Sequence, residues 1–189
     1  MAQVNPLTRE VLLKLVYYGP GLGGKTTSLQ YVHASSPPET RGNIVSLATP
    51  VDRTLYFDFL PLRVPAVRGH PVRVQLFTVP GQVYFNATRK LLLTGADGVV
   101  FVADSQRSRQ DANVESLENL AQNLADQGRE LAKLPLVLQF NKRDLPRIVE
   151  LDEMERLLNA RRAPTFPTCA TSGEGVLDAL DMLVRSVLD

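Results

Sequence analysis

The stretch Gly19-Pro20-Gly21-Leu22-Gly23-Gly24-Lys25-Thr26 decides the fold of this chain. It fits the pattern G-x-x-x-x-G-K-(S/T), in which glycines let backbone N–H groups turn inward around a polyphosphate. An apolar run over residues 11–18 precedes it, and a helix-like segment over residues 27–34 follows it. A phosphate-binding loop requires this order of strand, loop and helix, because the helix N-terminus adds positive potential. The sequence therefore predicts a site for a nucleoside triphosphate.

Each residue type in this loop has an expected task. The ammonium of Lys25 is a mobile cation for the β- and γ-phosphates, and the Thr26 hydroxyl can ligate Mg²⁺, which keeps most of its own waters. A glycine-rich turn without a ligand is the alternative, but the flanking strand and helix favour a nucleotide site. The other residues of this region predicted to contact the nucleotide are Gly19, Gly21, Leu22, Gly23, Gly24 and Thr27.

Length and charge limit the classes of function. The chain has 189 residues, which predicts one domain over residues 1–189, and its net charge of +1 gives no reason to expect a nucleic-acid partner. No apolar stretch approaches the about 18–20 residues of a membrane span. Ala2 stands where myristoylation requires glycine, and residues 185–189 contain no cysteine to prenylate. We therefore expect a cytoplasmic protein with no lipid anchor, whose single cysteine, Cys169, is a small buried hydrophobic residue.

Apolar runs alternate with helical patterns along the chain. Strands are predicted over residues 11–18, 54–60, 72–79, 98–103, 135–140 and 165–170, and helices over 27–34, 83–94, 113–127, 151–160 and 176–188. The turn Gly69-His70-Pro71 makes the second and third strands an antiparallel pair. The prediction is an α/β fold with a mostly parallel six-stranded sheet, one antiparallel strand and helices on both faces. Residues 35–53 are predicted to be irregular, a length typical of a functional loop.

A second motif, Asn141-Lys142-Arg143-Asp144, follows the strand over residues 135–140. It fits Asn-Lys-x-Asp, which indicates guanine recognition because one carboxylate, here Asp144, can accept both N1–H and the N2 amino group, whereas adenine leaves it unsatisfied. The stem of Lys142 is expected to cover the base, and Asn141 either bonds the base or ties this loop to the phosphate loop. Alone, the motif is also typical of a solvated turn; downstream of a phosphate loop it indicates a small GTPase. The N–H of Ala170 is expected to meet guanine O6.

A third motif, Thr78-Val79-Pro80-Gly81-Gln82, ends the strand over residues 72–79. Ras-like GTPases have D-x-x-G-Q at this position, so the comparison implies that Gly81 donates its N–H to the γ-phosphate and that Gln82 orients the attacking water. Thr78 stands where aspartate is expected, and a neutral hydroxyl is a poorer acceptor for a Mg²⁺-bound water. Asp58, on the neighbouring strand, either compensates for this change or is a solvated edge-strand acid.

The long irregular stretch ends at Arg53, next to Thr54. Thr54 is the best candidate for a threonine that senses Mg²⁺ and the γ-phosphate, with Thr49 and Thr40 as competitors. Arg53 can swing toward the phosphates and neutralise transition-state charge, which contributes ~10³–10⁵ in rate; a surface arginine paired with Asp52 is the alternative. The predicted catalytic residues are therefore Lys25, Arg53 and Gln82, and the predicted Mg²⁺ ligands are Thr26 and Thr54.

Together these motifs resemble the bacterial Ras-like GTPases of the MglA (mutual gliding protein A) family. The residues that carry the resemblance are Tyr17-Tyr18-Gly19-Pro20-Gly21-Leu22, Asp52-Arg53-Thr54-Leu55-Tyr56-Phe57-Asp58-Phe59-Leu60-Pro61, Thr78-Val79-Pro80-Gly81-Gln82-Val83 and Asn141-Lys142-Arg143-Asp144-Leu145-Pro146. The resemblance spans nearly the whole chain and includes the threonine at position 78. Gly23 departs from it, since family members carry serine or cysteine there.

The resemblance implies a Ras-like P-loop GTPase fold and a switch that binds GTP with Mg²⁺ and hydrolyses it to GDP. It also implies control of cell polarity and motility, by gliding or type IV pili, from a cytoplasmic location concentrated at a cell pole. The implied partners are an MglB-like Roadblock homodimer, which activates hydrolysis while Arg53 acts as the intrinsic finger, and effectors that bind the switch regions. The alternatives are a GTP-gated scaffold with negligible hydrolysis, and a metabolic P-loop enzyme such as a nucleoside kinase, which has no need of the Asn-Lys-x-Asp motif.

Overall fold

The computed structural model describes residues 3–4, 10–49, 52–67 and 69–189 of the chain. In these residues strands alternate with helices, as the hydrophobic pattern predicts. The strands are β1 (Gln3–Val4), β2 (Val11–Tyr18), β3 (Val45–Thr49), β4 (Asp52–Val67), β5 (His70–Thr78), β6 (Gly98–Asp104), β7 (Leu136–Asn141) and β8 (Thr165–Pro167). The α-helices are α1 (Lys25–Ser35), α2 (Asn86–Leu93), α3 (Gln110–Ala125), α4 (Leu151–Leu158) and α5 (Val176–Leu188). Short 3₁₀ helices cover Pro38–Thr40, Val83–Phe85, Arg107–Arg109 and Leu131–Lys133.

The strands form one mixed sheet. Its order is β3-β4-β5-β2-β6-β7-β8, and β1 pairs with β2 beside this path. β2 runs parallel to both β5 and β6, and β7 and β8 continue the parallel half. β4 is antiparallel to β5, with Phe59 opposite Phe77, which confirms the predicted antiparallel pair. The α/β fold predicted from the sequence is therefore confirmed.

The sheet contains more strands than the six predicted. The described residues form eight, and antiparallel pairing joins β1 to β2 and β3 to β4 as well as β4 to β5. β3 lies inside the stretch 35–53, which the sequence predicts to be irregular. It is the outermost strand, and its first residue, Val45, is 50% exposed. A short edge strand buries little on either face, so its sequence carries only a weak alternation.

The second predicted strand is also longer than expected. The prediction ends at residue 60, before a proline, whereas β4 continues through Pro61 and Pro65. The carbonyl of Pro61 accepts the N–H of Gly42 at 2.9 Å. Pro65 lies where the pairing of β4 with β5 shifts register, between Val64 and Val67. Proline is tolerated at such an irregularity because its missing N–H interrupts no ladder bond there.

Two apolar layers, one on each face of the sheet, hold the helices. Alternate residues of β2 point to opposite faces, as the period of a strand requires. Leu13, Leu15 and Tyr17 pack with α1 and α5, whereas Val16 and Tyr18 pack with α2, α3 and α4. β6 is buried along its whole length, as predicted for a central parallel strand. In the part of the chain that the structure describes, none of the helices is long and apolar enough to cross a membrane.

The carboxyl ends of β2, β6 and β7 lie at one edge of the sheet because these strands are parallel. The three segments that carry the motif residues leave the sheet at this edge: the loops after β2 and β7, and the loop after β5, a strand that is also parallel to β2. In open α/β sheets, ligands bind outside this edge. The fold therefore brings together segments that are about 40 residues or more apart along the chain.

Packing of α5 on the sheet yields a stability prediction. Leu183 of α5 is fully buried over Gly98 of β6, so Leu183→Ala should lower the free energy of unfolding by about 2–5 kcal/mol through the cavity it leaves. Leu177 lies on the same helix and is 42% exposed, so Leu177→Ala should cost less than about 1 kcal/mol. Urea unfolding followed by circular dichroism measures both values. Equal losses for the two variants would contradict this account of the core.

Candidate nucleotide-binding site

The loop of residues 19–24 connects β2 to α1 and turns its backbone around an open space. Helix α1 begins at Lys25, directly after Gly24, whose φ of 103° lies in the left-handed region that favours glycine. A Cβ at Gly24 would lie 2.1 Å from Nδ2 of Asn141, so only glycine fits between these two loops. A cavity of about 270 Å³ follows the loop and is lined by Gly21, Leu22, Gly23, Gly24, Lys25, Thr26, Thr27, Val79, Gly81 and Gln82.

The side chain of Lys25 is buried inside this turn. Its Nζ donates to the carbonyl of Gly19 at 2.9 Å and to the carbonyl of Pro20 at 2.6 Å. Burial, together with the nearby positive charges of Arg89 and Arg109, lowers the pKa of Lys25 from 10.5 to about 7, and the negative charge of Asp58 opposes this shift only in part. The loop thus holds a poorly compensated ammonium at the place where the sequence predicts phosphate groups.

Asp58 of β4 lies beside this loop and accepts hydrogen bonds from three hydroxyl groups. Its carboxylate accepts Thr26 Oγ1 at 2.7 Å, Ser46 Oγ at 2.6 Å and Thr78 Oγ1 at 2.8 Å. The Thr78 hydroxyl also accepts the backbone N–H of Asp58 at 2.9 Å. Asp58 is only 3% exposed, so the interpretation of it as a solvated edge-strand acid is wrong. The carboxylate instead stands next to Thr78, the position where the motif lacks its aspartate.

The donor atoms around Asp58 suit a hard cation. Carboxylate and hydroxyl oxygens are the ligands that Mg²⁺ takes, and it keeps several waters of its own. Within the described residues, no group of three or more His, Cys, Asp or Glu side chains is placed to hold a metal ion. A cation at this position would therefore depend on one protein carboxylate, on hydroxyls such as that of Thr26, and on oxygens brought by a ligand.

The loop after β7 is tied to the phosphate loop through Asn141. Its Nδ2 donates to the carbonyl of Gly23 at 2.9 Å, and its Oδ1 accepts the N–H of Ala170 at 2.9 Å and the Thr168 hydroxyl at 3.1 Å. Of the two tasks considered for Asn141, the structure places it in the second, as a tie between loops. The N–H of Ala170, predicted to meet a base oxygen, is directed at Asn141 in this structure.

A second cavity, of about 220 Å³, lies between these loops. It is lined by Leu22, Gly24, Thr27, Asn141, Lys142, Asp144, Leu145, Ala170 and Thr171. Asp144 is exposed at its rim. Every residue that the sequence predicts for base recognition therefore lies around one space, next to the phosphate loop.

Asp104, at the end of β6, forms ion pairs that connect the loop after β7 with the phosphate loop. Its carboxylate is fully buried and lies 2.7 Å from Nζ of Lys142 and 3.9 Å from Nε of Arg109. Arg109 in turn donates from Nη2 to the carbonyl of Gly21 at 2.7 Å. The sequence prediction missed Asp104, Arg109 and Ser46. The position of Asp104, an acid directly after a buried central strand, is a signal that could have found it.

Gly81 and Gln82, the last residues of the third motif, lie against the phosphate loop. A Cβ at Gly81 would lie 2.2 Å from Cα of Gly21, so the two backbones are in direct contact and leave no space for a side chain. Gln82 is exposed and lines the cavity of about 270 Å³. Tyr84 and Leu22, 89% and 88% exposed, flank it and form an apolar rim.

Arg53 and Thr54 belong to β4, close to the turn between β3 and β4. Their side chains, and that of Thr49, lie outside the described residues, so their predicted tasks stay predictions. The hydroxyl of Thr40 donates to the carbonyl of Pro37 at 2.8 Å and closes a local turn. Thr40 therefore has a structural task of its own.

Burial of Lys25 predicts how stability depends on pH in the ligand-free protein. Between about pH 7 and 10.5 the unfolded lysine binds more protons than the folded one, so stability rises with pH across this window and is lost as pH falls toward 7. Relative to Lys25→Met, the free energy of unfolding of the wild type should rise by up to about 1.4 kcal/mol per pH unit. Urea titrations at several pH values test this, and parallel pH profiles for the two proteins would contradict it.

Comparisons with known proteins agree with this geometry. The model of the ADP-ribosylation factor family matches residues 57–187. The mutual gliding-motility protein MglA of Myxococcus xanthus (strain DK1622) is 54% identical over 188 residues, which cover 100% of this chain and 96% of that protein. The Ras-related protein Rab-13 of Rattus norvegicus is 27% identical over 138 residues, 71% of this chain and 64% of its own. The Ras-related protein rab-39 of Caenorhabditis elegans is 23% identical over 175 residues, 92% of this chain and 72% of its own.

The family match covers more than half of the chain, and the MglA relative matches it from end to end. The sheet, the phosphate loop and the Asn-Lys-x-Asp loop lie where such a protein needs them. The chain therefore belongs to the MglA family of Ras-like small GTPases, enzymes that bind and hydrolyse GTP.

Proposed function

We propose that the chain is a GTP-dependent molecular switch, built as one G domain over residues 1–189 that binds GTP and GDP at the carboxyl edge of its sheet. The observation that carries this proposal is the position of Asn141, whose amide group bonds both Gly23 and Ala170. One buried side chain thereby links the phosphate loop to both loops assigned to the base. Such a link sets the distance between the two ends of a nucleotide, and preorganised contacts of this kind favour one ligand length.

Phosphate binding is assigned to the loop after β2 and to Lys25. The proposed contacts are made by Gly19, Gly21, Leu22, Gly23, Gly24, Lys25, Thr26 and Thr27. The ammonium of Lys25 exchanges the carbonyls of Gly19 and Pro20 for phosphate oxygens. Negative charge beside a buried amine favours its protonated form, so nucleotide binding raises the lowered pKa of Lys25 toward its ordinary value.

Guanine recognition is assigned to Asp144, Lys142 and Ala170. Asp144 is exposed at the rim of the cavity of about 220 Å³, where its carboxylate can accept two N–H groups of the base edge. Asp104 holds the ammonium of Lys142 at 2.7 Å, which fixes the direction of the aliphatic stem that covers the base. Ala170 exchanges its bond to Asn141 for one to guanine O6.

The metal that accompanies the nucleotide is assigned to Thr26 and Thr54, with Asp58 in support. Bound Mg²⁺ neutralises charge on the β- and γ-phosphates. Asp58 bonds the hydroxyls of both Thr26 and Thr78, so it can orient the Thr26 ligand and supply the negative charge that Thr78 lacks. Carboxylates that hold a ligand in this way tune metal sites in many proteins.

Hydrolysis is assigned to Gln82, Arg53 and Lys25. Gln82 is exposed beside the phosphate loop, where its amide can orient an attacking water. Gly81 provides its N–H to the γ-phosphate, and Arg53 contributes positive charge from β4. Loss of the γ-phosphate then removes the contacts that hold Thr54 and Gly81, and the surface around them changes.

The cellular task proposed for this switch is control of gliding motility and cell polarity, from a cytoplasmic location concentrated at a cell pole. The proposal rests on the 54% identity to the mutual gliding-motility protein of Myxococcus xanthus. An MglB-like Roadblock homodimer is proposed as the activator of hydrolysis, and effectors are proposed to bind through the same region. The exposed Tyr84 and Leu22 beside Gln82 support a partner surface there.

Single-turnover GTP hydrolysis, with and without a Roadblock-type homodimer, tests the switch. We expect the homodimer to accelerate hydrolysis, and Arg53→Ala to lower the stimulated rate by ~10³-fold or more, as loss of an arginine finger does. Gln82→Leu should also abolish stimulation. Arg63→Ala is the matched control, because Arg63 is exposed on the same strand. No acceleration, and no loss in either variant, would favour the GTP-gated scaffold with negligible hydrolysis.

Asp58 yields a separate prediction about the metal. Asp58→Asn keeps the shape of the side chain and removes its charge, so the affinity for Mg²⁺ should fall by about 10–100-fold, as for other groups that orient a metal ligand. Chelation by EDTA should therefore accelerate GDP release strongly in the wild type and little in the variant. Asp181→Asn, at an exposed position of α5, is the control. Equal acceleration by EDTA in wild type and Asp58→Asn would contradict the assignment.

A further inference from the structure

Arg89 of α2 is a buried cation that the proposed mechanism does not use. It is 1% exposed, and its guanidinium contacts the 80–82 loop. Nε donates to the carbonyl of Pro80 at 2.8 Å, and Nη2 donates to the carbonyl of Gly81. An arginine remains charged in proteins and presents its donors in a rigid fork. Here the fork is directed at two consecutive backbone carbonyls.

The charge of Arg89 has no acid beside it. Among the residues that the structure describes, no carboxylate lies within ion-pair distance of its guanidinium, which instead contacts Oδ1 of Asn119 at 2.8 Å and stacks 5.7 Å from the centre of the Tyr18 ring. Burial of a charge without a counter-charge is costly, and an apolar side chain of similar volume would often serve packing as well. The contacts to the 80–82 loop are therefore the feature of Arg89 that packing does not explain.

The planarity of the peptide bond gives those contacts a consequence. The carbonyl of Pro80 and the N–H of Gly81 belong to one planar, trans peptide unit, so they point in opposite directions. A donor that fixes the carbonyl of Pro80 toward Arg89 thus directs the N–H of Gly81 away from it. The second bond fixes the next peptide unit, between Gly81 and Gln82, in the same way.

The N–H of Gly81 is free to bind a ligand. Among the described residues it has no acceptor, and Gly81 lines the cavity that follows the phosphate loop. Direct backbone contact with Gly21 holds Gly81 from the other side, since a Cβ there would lie 2.2 Å from Cα of Gly21. The peptide unit between Pro80 and Gly81 is therefore held between Arg89 and the phosphate loop, and the N–H of Gly81 remains available for a ligand.

A polar network anchors Arg89 to the rest of the protein. Asn119 of α3, which accepts from Arg89, also accepts from the Tyr18 hydroxyl and donates to Asn86 at 3.0 Å. Asn123 donates to Tyr18 at 3.0 Å and to Asn86 at 2.9 Å. The guanidinium is thus held by α3 and β2, elements of the core, and not only by its own helix.

We propose that Arg89 is a positioning residue. It orients the peptide units on both sides of Gly81, so that the N–H of Gly81 is directed at the γ-phosphate of GTP. This inference rests on the proposed function, in which Gly81 binds that group. The contact of Gly81 with the γ-phosphate distinguishes GTP from GDP, because GDP has no γ-phosphate. Arg89 therefore contributes to the affinity for GTP over GDP and to hydrolysis, and not to nucleotide binding in general.

The test uses Arg89→Gln and Arg89→Lys in the full chain. The affinities for GDP and for a non-hydrolysable GTP analogue are measured, together with single-turnover hydrolysis and the melting temperature of the GDP complex. We expect GDP affinity to change by less than about threefold, the ratio of GTP-analogue to GDP affinity to fall by about tenfold and hydrolysis to fall by about 100-fold, as when one oriented donor is lost. Lysine keeps the charge without the fork, so Arg89→Lys should not restore the ratio.

Two further variants separate positioning from stability. Asn119→Ala removes an anchor but leaves both carbonyl contacts of Arg89, so it should lower the melting temperature and keep the affinity ratio. Lys90→Gln removes the neighbouring cation of α2, which pairs with Asp126 at the surface, and should leave all values unchanged. If Arg89→Gln does not fold, Arg89→Lys and Asn119→Ala decide the question by the same ratio.

The outcomes distinguish this inference from the proposed function. An unchanged affinity ratio in the Arg89 variants, full rescue by lysine, or an equal fall of the ratio in Asn119→Ala would overturn the positioning role alone. A wild-type chain that binds no guanine nucleotide would overturn the proposed function and this inference with it. A selective loss of GTP-analogue affinity in both Arg89 variants, with GDP affinity kept, supports the positioning role.

Discussion

The ammonium of Lys25, buried inside a turn of its own backbone, is the interaction on which the rest of the site depends. The carbonyls of Gly19 and Pro20 hold it where a phosphate can replace them, and burial lowers its pKa to about 7. The surrounding loops hold that turn in place. Asn141 holds it from the base side, Gly81 contacts it from the opposite side, and Asp58 bonds the next residue of α1.

Around the phosphate loop, positive side chains outnumber negative ones, and this excess of positive charge favours an anionic ligand. Lys25 and Arg89 are cations in the interior, and Arg109, which pairs with Asp104, adds a third at its edge. Asp58 is the acid whose charge acts on Lys25. In the proposed function a polyphosphate supplies the missing negative charge, so its binding would relieve an electrostatic cost that folding leaves in place. Asp104, the other buried acid of the site, is paired with Lys142 as well as with Arg109 and lies on the proposed base side. The proposed phosphate and base sites thus belong to two groups of charged residues, connected through Arg109 and Asn141.

Local patterns were sufficient for most of the elements and for the three motifs. Helix α5 and strand β2 have the predicted bounds, because each buries one continuous face and its period is therefore clear. Strand β3 was missed because an edge strand has one partner and little burial, and β4 was cut short at Pro61 because proline usually ends a strand. Both errors concern pairing with distant residues, which no window along the chain contains.

By itself the sequence determined that the chain carries two nucleotide-binding motifs: a glycine-rich loop, with Lys25 and Thr26 predicted for phosphates, and an Asn-Lys-x-Asp loop, with Asn141 and Asp144 predicted for guanine. These motifs are local, since neighbouring residues fold into one turn and act together. Only the tertiary structure decided which isolated residues join them. Asp58 stands beside Thr78 because β4 pairs with β5, and Arg89 reaches the carbonyls of Pro80 and Gly81 because α2 folds back on the loop before it. Such contacts depend on strand register and helix packing, and neither can be predicted from isolated residues of the sequence.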